Sequence, residues 1–183
     1  MSLHNVTPGP KAPEEFNVII EIPMNADPIK YEVDEDTGAM FVDRFMATAM
    51  HYPCNYGYIP QTLADDGDPV DVLVITPVLL IPGVVVTCRP WGVLRMNDEA
   101  GGDNKLLAVP VDRVLSIYSQ WQKPEDLNPL RLKTIQHFFE HYKDLEAGKW
   151  VKVQGWDGAD GARHEVMAGI AAWTRKRQGT AAG

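Results

Sequence analysis

Asp65 to Ile75 reads Asp-Asp-Gly-Asp-Pro-Val-Asp-Val-Leu-Val-Ile, and no stretch of the chain narrows the choice of fold more. Pro69 excludes a helix here, because a mid-helix proline loses a backbone hydrogen bond and clashes with the preceding turn. What remains is an irregular acidic turn feeding a strand. In extended chain Asp66 and Asp68 point to one side, and Asp71 points to the other unless the turn at Gly67-Asp68-Pro69 swings it back. Carboxylates so close repel one another and raise each other's pKa, a penalty that a hard divalent cation such as Mg2+ removes. Two readings stand side by side at this point, a solvated acidic turn and a metal site. An EF-hand is excluded: its position four would be Pro69, its obligatory glycine would be Asp71, and its closing glutamate would be Pro77.

Around this stretch the pattern is one of short strands. Phe16 to Pro23, Ile29 to Val33, Ala39 to Val42, Val72 to Ile75, Gly83 to Met96 and Lys105 to Val109 are rich in β-branched and aromatic residues. Asp34-Glu35-Asp36-Thr37-Gly38 is turn chemistry. Strands joined by turns, with no alternating helices before about residue 110, predict a small mixed or antiparallel barrel. Helices belong to the second half. Asn128-Pro129 offers a capping side chain followed by proline at the first helical position, and Gly148 terminates. Ile135, Phe138, Phe139, Tyr142 and Leu145 follow helical spacing between them. A second helix is expected over Asp160–Arg177, with Val166, Ile170 and Trp173 on one face and Arg175-Lys176-Arg177 suiting the dipole at its end. Gln178 to Gly183 is expected to fray.

A chain of 183 residues with this composition predicts one domain, 1–183, with room for a substantial core. A net charge of −8 argues against a nucleic-acid surface, which needs clustered cations. Cys54 and Cys88 lack metal-type spacing and are expected to be reduced and buried, as in a cytoplasmic protein. Met1-Ser2-Leu3-His4 lacks the regions of a signal peptide. The apolar run Val72 to Cys88 is broken at Thr76-Pro77 and Pro82-Gly83, so it reads as two strands rather than a membrane span.

Several motifs together carry a resemblance. Asp66-Gly67-Asp68-Pro69-Val70-Asp71-Val72, Glu21-Ile22-Pro23, Asn25 to Glu32, Phe41-Val42-Asp43-Arg44, Tyr52-Pro53-Cys54-Asn55-Tyr56-Gly57-Tyr58 and His137 to Lys143 occur in order along the chain. From about residue 16 to about residue 156 the sequence resembles the family I soluble inorganic pyrophosphatases of the bacterial type. The resemblance implies a mainly β fold, a small OB-like barrel with two main helices packed outside. It also implies Mg2+-dependent hydrolysis of pyrophosphate to two orthophosphates, with several ions per site, in a homohexamer. It places Asp66, Asp71 and Asp103 around the tightest metals, Asp71 bridging two, with Asp98 and Asp103 at a further ion and Glu21 near another. Lys30, Glu32, Arg44, Tyr56, Lys105, Tyr142 and Lys143 correspond to substrate-binding positions, with Lys30, Arg44 and Tyr56 also counted as catalytic beside Asp68. Tyr52 would support Tyr56 or Asp71 by a hydrogen bond.

Each assignment has a plainer counterpart. Asn97 to Asp103 read alone is a solvated loop, and Lys30 is placed to pair with Glu32 across one strand face. Tyr142 fits plain core, and His137 and His141, four apart on one helix face, are either exposed or in contact with a neighbouring subunit. Asp68 is either the base that takes a proton from water, a further metal ligand or a turn former. Charge separates the mechanisms. Glu21, Glu32, Asp66, Asp68, Asp71, Asp98 and Asp103 outnumber Lys30, Arg44, Lys105 and Lys143 by three, a balance that repels a phosphoanhydride until divalent cations reverse it. The competing functions are a hydrolase of nucleoside triphosphates or organic pyrophosphates, for which no Walker glycine loop is present, and a non-catalytic metal-binding OB-like module.

Overall fold

The computed structural model describes residues 3–34 and 37–181, apart from the side chains of His4, Thr180 and Ala181. Among the described residues, nine strands and two α-helices follow in chain order: β1 (Phe16–Ile22), β2 (Ile29–Val33), β3 (Met40–Phe45), β4 (Asn55–Ile59), β5 (Val70–Val74), β6 (Val85–Asp98), β7 (Gly101–Gly102), β8 (Lys105–Pro110), α1 (Pro129–His141), β9 (Val151–Gly158) and α2 (Ala159–Ala181). The main sheet runs β1-β4-β5-β8-β6, and β6 pairs back onto β1, so these five strands close on themselves. That is the OB-like barrel, and closure leaves fewer free edges. The long β6 makes it possible. Val85–Cys88 pair with β1, Cys88–Leu94 with β8 and Gly92–Asp98 with β9, with a register shift between Pro90 and Gly92 that bends the strand. The parallel β5–β8 pair brings the acidic turn beside Lys105. β2 and β3 form a separate two-stranded sheet.

Alternation in the strands sorts most buried side chains into two large cores, beside a small third cluster of Ile19, Val33 and Tyr58. Val72, Val74, Leu106 and Ala108 join Phe16, Val18, Ala162 and Val166. Leu73, Leu107 and Val109 join Trp91, Ile135, Phe138 and Phe139. Strands apolar on both faces are what such double coverage requires, and each fully buried Leu, Ile or Phe contributes about 1.5–3 kcal/mol. α1 therefore covers one cluster and α2 the other. Among the described residues no helix is long and apolar enough to cross a membrane.

The strand expectations hold in place with shifted ends: Ala39 to Val42 lies at Met40–Phe45, Val72 to Ile75 at Val70–Val74, and Gly83 to Met96 at Val85–Asp98. The first helix stops at His141 rather than reaching Gly148. The chain beyond it winds into turns, so helical spacing fails there and Leu145 is 76% exposed instead of buried. The second helix runs four residues past Arg177, where fraying from Gln178 was expected; Ala182 and Gly183 lie outside the described residues. Its basic run therefore sits before the last turn, and Arg177 stacks on Trp173 with its guanidinium 4.9 Å from the ring centre. Glu35 and Asp36 also lie outside the described residues. The flanks of their expected turn close, the Gly38 N–H donating to the Asp34 carbonyl at 2.7 Å. β4 and β9 escaped the sequence reading. β4 is buried throughout and carries Asn55 and Gly57, so it shows no alternation, whereas the Val151/Val153 pattern of β9 was there to be read.

Gly57 sits where β4 crosses β1, and a Cβ there would lie 1.9 Å from the Ile19 carbonyl oxygen. That neighbour is backbone in a closed barrel and cannot step aside. Gly57→Ala is expected to cost about 3 kcal/mol or more, read as a fall in the urea midpoint; an unchanged midpoint would show that β1 gives way.

Candidate active site

The acidic turn is held at both ends by one hydroxyl. Thr62 donates to the Ile59 carbonyl (2.6 Å) and accepts from the Val70 N–H (2.9 Å), fixing the distance from the end of β4 to the start of β5. Between them the Ala64 N–H donates to the Asp68 carbonyl at 2.7 Å, and Gly67 has φ of 95°, a conformation glycine adopts without strain. The Asp68 N–H donates to Asp66 Oδ1 at 3.1 Å. This winding does what extended chain could not: Asp66, Asp68 and Asp71 all line one hollow of about 390 Å3.

Other elements deliver the rest. Asp71, opposite Tyr58 in the β4–β5 ladder, lies near the mouth of β8, whose first residue is Lys105. The Lys105 ammonium bonds both Asp71 and Asp103, and the residue is 4% exposed. At the end of β6, Asp98 takes a 2.6 Å ion pair from Lys143, which follows Tyr142 in the turn after α1. The β2–β3 hairpin contributes Lys30, Glu32 and Arg44, with Lys30 opposite Arg44. Lys30 bonds Glu32 and lies 3.5 Å from Asp43, which also holds Arg44 Nη1 at 3.0 Å. From β1, Glu21 accepts the Val33 N–H at 2.8 Å and so staples the hairpin to the barrel.

Every site residue singled out in the sequence, Tyr52 included, lines this hollow. Tyr52 packs its ring on Tyr56, with centroids 5.3 Å apart. The pairing of Lys30 with Glu32 is present as well, so the plainer reading and the site position coincide in one residue. His137 and His141 stay on the exposed face of α1, His141 bonded to Asp144 at 2.8 Å. Three further residues went unremarked. Lys149 lines the hollow, Glu99 pairs with Lys143 and Lys149, and Asp43 orders the hairpin cations. Glu99 and Asp43 sat inside motifs already noted; a lone lysine in a turn gives no sequence signal.

The electrostatics follow from enclosure. Burial pushes the Glu21 carboxyl up to about 8, with Asp71 and Glu32 adding to the shift against the pull of the Val33 N–H. Burial also raises Asp103, with Asp71 and Asp98 adding to it and Lys105 opposing. At the more exposed rim, partial enclosure raises Asp66 and Asp68. Burial would raise Asp98 too, but the Lys143 ammonium outweighs it and holds the acid low. Burial would lower Lys105, yet Asp71 and Asp103 hold it well above the usual lysine range. Burial raises the Tyr56 and Tyr142 phenols, which therefore stay protonated as donors.

Among the described residues no three acidic, histidine or cysteine side chains are drawn together as a ready metal cluster. Lysine ammonium groups stand between the carboxylates instead. The donor set nevertheless fits a hard divalent cation, because it is all oxygen, crowded and in excess over the bases lining the same hollow.

Glu21 gives a pH test. Its folded pKa lies above the ordinary 4.5, so the folded state keeps a proton that the unfolded chain has released between pH 4.5 and about 8. Burying this group therefore destabilises increasingly as pH rises through that window. In chelator, Glu21→Gln is expected to melt a few degrees above the parent at pH 8 and to lose that advantage at pH 4. Equal melting differences at both pH values would show that the carboxyl is not held protonated.

The comparisons agree with one another. The family profile described as inorganic pyrophosphatase matches residues 18–174. A curated protein of Salmonella typhimurium named inorganic pyrophosphatase is 61% identical over 168 residues, 92% of this chain and 96% of that one. Its namesake in Pseudomonas aeruginosa is 57% identical over 175 residues, 96% of this chain and 100% of that one. Among solved structures, the inorganic pyrophosphatase of Thermus thermophilus superposes with a TM-score of 0.87 at 45% identity, covering 95% of this chain and 99% of that one. A structure from Anaplasma phagocytophilum described as an inorganic phosphatase gives 0.91 at 49% identity, covering 93% of this chain and 99% of the other.

Proposed function

The chain belongs to the inorganic pyrophosphatase family, and on that premise we propose that its hollow hydrolyses inorganic pyrophosphate to two orthophosphates with Mg2+ as the metal. The observation that carries this reading is the meeting of seven carboxylates with five basic side chains in one cavity, drawn from segments far apart in the chain. Asp66, Asp71 and Asp103 would hold the tightest ions, with Asp98 at a further one and Glu21 close by. When bound, the cations would lower the pKa of the attacking water and neutralise charge developing on the phosphate oxygens.

The protein groups do the rest. Asp68, at the rim, takes the proton as the water oxygen bonds to one phosphorus, and the bond from that phosphorus to the bridging oxygen breaks. The electron pair leaves with the second phosphate. Lys30, Arg44, Lys105 and Lys143 balance charge on the phosphates, while Tyr56 and Tyr142 donate hydroxyl hydrogen bonds. Glu32 keeps the Lys30 ammonium in place. A single catalytic domain over 1–183, assembly as a homohexamer, a cytoplasmic setting and no nucleic-acid or membrane partner complete the reading.

The test is phosphate release from pyrophosphate and from ATP, each with and without Mg2+. Release from pyrophosphate with Mg2+ alone supports the proposal. Preference for ATP would point to a nucleotide hydrolase, and no release at all to a binding module.

A further inference from the structure

We propose that Glu146 is a positioning residue for Arg44, gripping its Nε so that the guanidinium is fixed before phosphate arrives. The inference rests on Arg44 binding phosphate in the proposed reaction. Arg44 Nε and Glu146 Oε1 face each other at 3.7 Å. Both atoms are buried, and neither has a hydrogen-bond partner among the described residues. A buried donor and a buried acceptor left unmade are each unfavourable, and the two relieve each other by a small closing movement. Asp43 already holds Nη1 at 3.0 Å. With Nε and Nη1 taken by carboxylates, Nη2 is left for a phosphate oxygen.

The fold gives this contact its purpose. Arg44 sits on a two-stranded sheet that is not part of the barrel ladder, and the Glu21 staple to the barrel is made at Val33 on the neighbouring strand, so it does not hold the Arg44 side chain. Glu146 sits in the turn after α1, where its N–H donates to the Lys143 carbonyl (2.9 Å) and its carbonyl accepts from Lys149 (3.2 Å). The same turn carries Tyr142, Lys143 and Lys149 into the hollow. A link from Glu146 to Arg44 thus sets the spacing between the cations of the hairpin and those of the turn.

Sign separates positioning from plain electrostatics. Removing an anion beside a polyanion's site should strengthen binding if charge alone matters; losing a positioning contact should weaken it. In the full-length, Mg2+-loaded protein, Glu146→Ala is expected to raise KM for pyrophosphate about tenfold with kcat changed far less, and Glu146→Gln, which keeps an oxygen acceptor, to recover most of it. Arg44→Lys should raise KM on its own, and Glu146→Ala should add almost nothing in that background, since lysine has no Nε–H to hold. A fall in KM for Glu146→Ala, or an equal rise in both backgrounds, overturns the inference. An Arg44→Lys variant with unchanged KM instead removes Arg44 from phosphate binding. Should Glu146→Ala fail to fold, Glu146→Asp takes its place: a shortened carboxylate is expected to raise KM in the parent and not beside Arg44→Lys, and parental KM would sink the idea.

Discussion

Asp68→Asn is expected to lower kcat for pyrophosphate by about 100- to 10,000-fold, the usual worth of a general base, while melting and Mg2+ binding stay close to parental. The substitution changes one oxygen to an amide at nearly constant volume. The turn does not need the missing oxygen, because the Asp68 contacts within it run through its N–H and carbonyl. Partial enclosure raises the Asp68 carboxyl, which favours a group that takes up a proton and releases it again. Kinetics alone would not separate base from ligand, so calorimetric Mg2+ titration belongs beside it. Lost turnover with intact Mg2+ binding supports the base. Lost Mg2+ binding makes Asp68 a ligand, and parental turnover takes it out of the chemistry.

Stripping divalent cations is expected to have the larger effect, reducing pyrophosphate hydrolysis to background, with full recovery on adding Mg2+. Seven carboxylates face five basic side chains around the cavity, and the two most enclosed of those bases are already committed: Lys105 to Asp71 and Asp103, Lys143 to Asp98. Little positive charge is left for a polyanion. Added dications would compete with these ammonium groups for the carboxylates and turn the local field toward the substrate. A phosphate-release assay in chelator, then with graded Mg2+, measures this directly; activity that survives chelation would sink the charge argument.

Much of this was legible beforehand, for uneven reasons. Pro69 and the valine run after it sufficed to place a turn and a strand, since proline geometry and β-branching are local constraints. The barrel followed from many short strands without alternating helices. The site residues came from motif resemblance, and they meet in one hollow. Glu146, Lys149 and the true end of α1 were not legible. A carboxylate in a polar turn looks solvated until its partner, about a hundred positions earlier, is known, and helical spacing says nothing of where packing lets a helix stop.

By itself, the sequence determined which segments extend, which coil, and that acidic groups exceed basic ones around the turns of its motifs; these are properties of neighbours along the chain. Only the tertiary structure decided that Asp71 swings to the side of Asp66 and Asp68, that Lys105 sits between two carboxylates, and that a half-buried glutamate turns a buried oxygen toward Arg44. The physical reason is that charge interactions and burial depend on distance through space, and those distances come from tertiary pairings such as the parallel β5–β8 ladder that brings Asp71 beside Lys105.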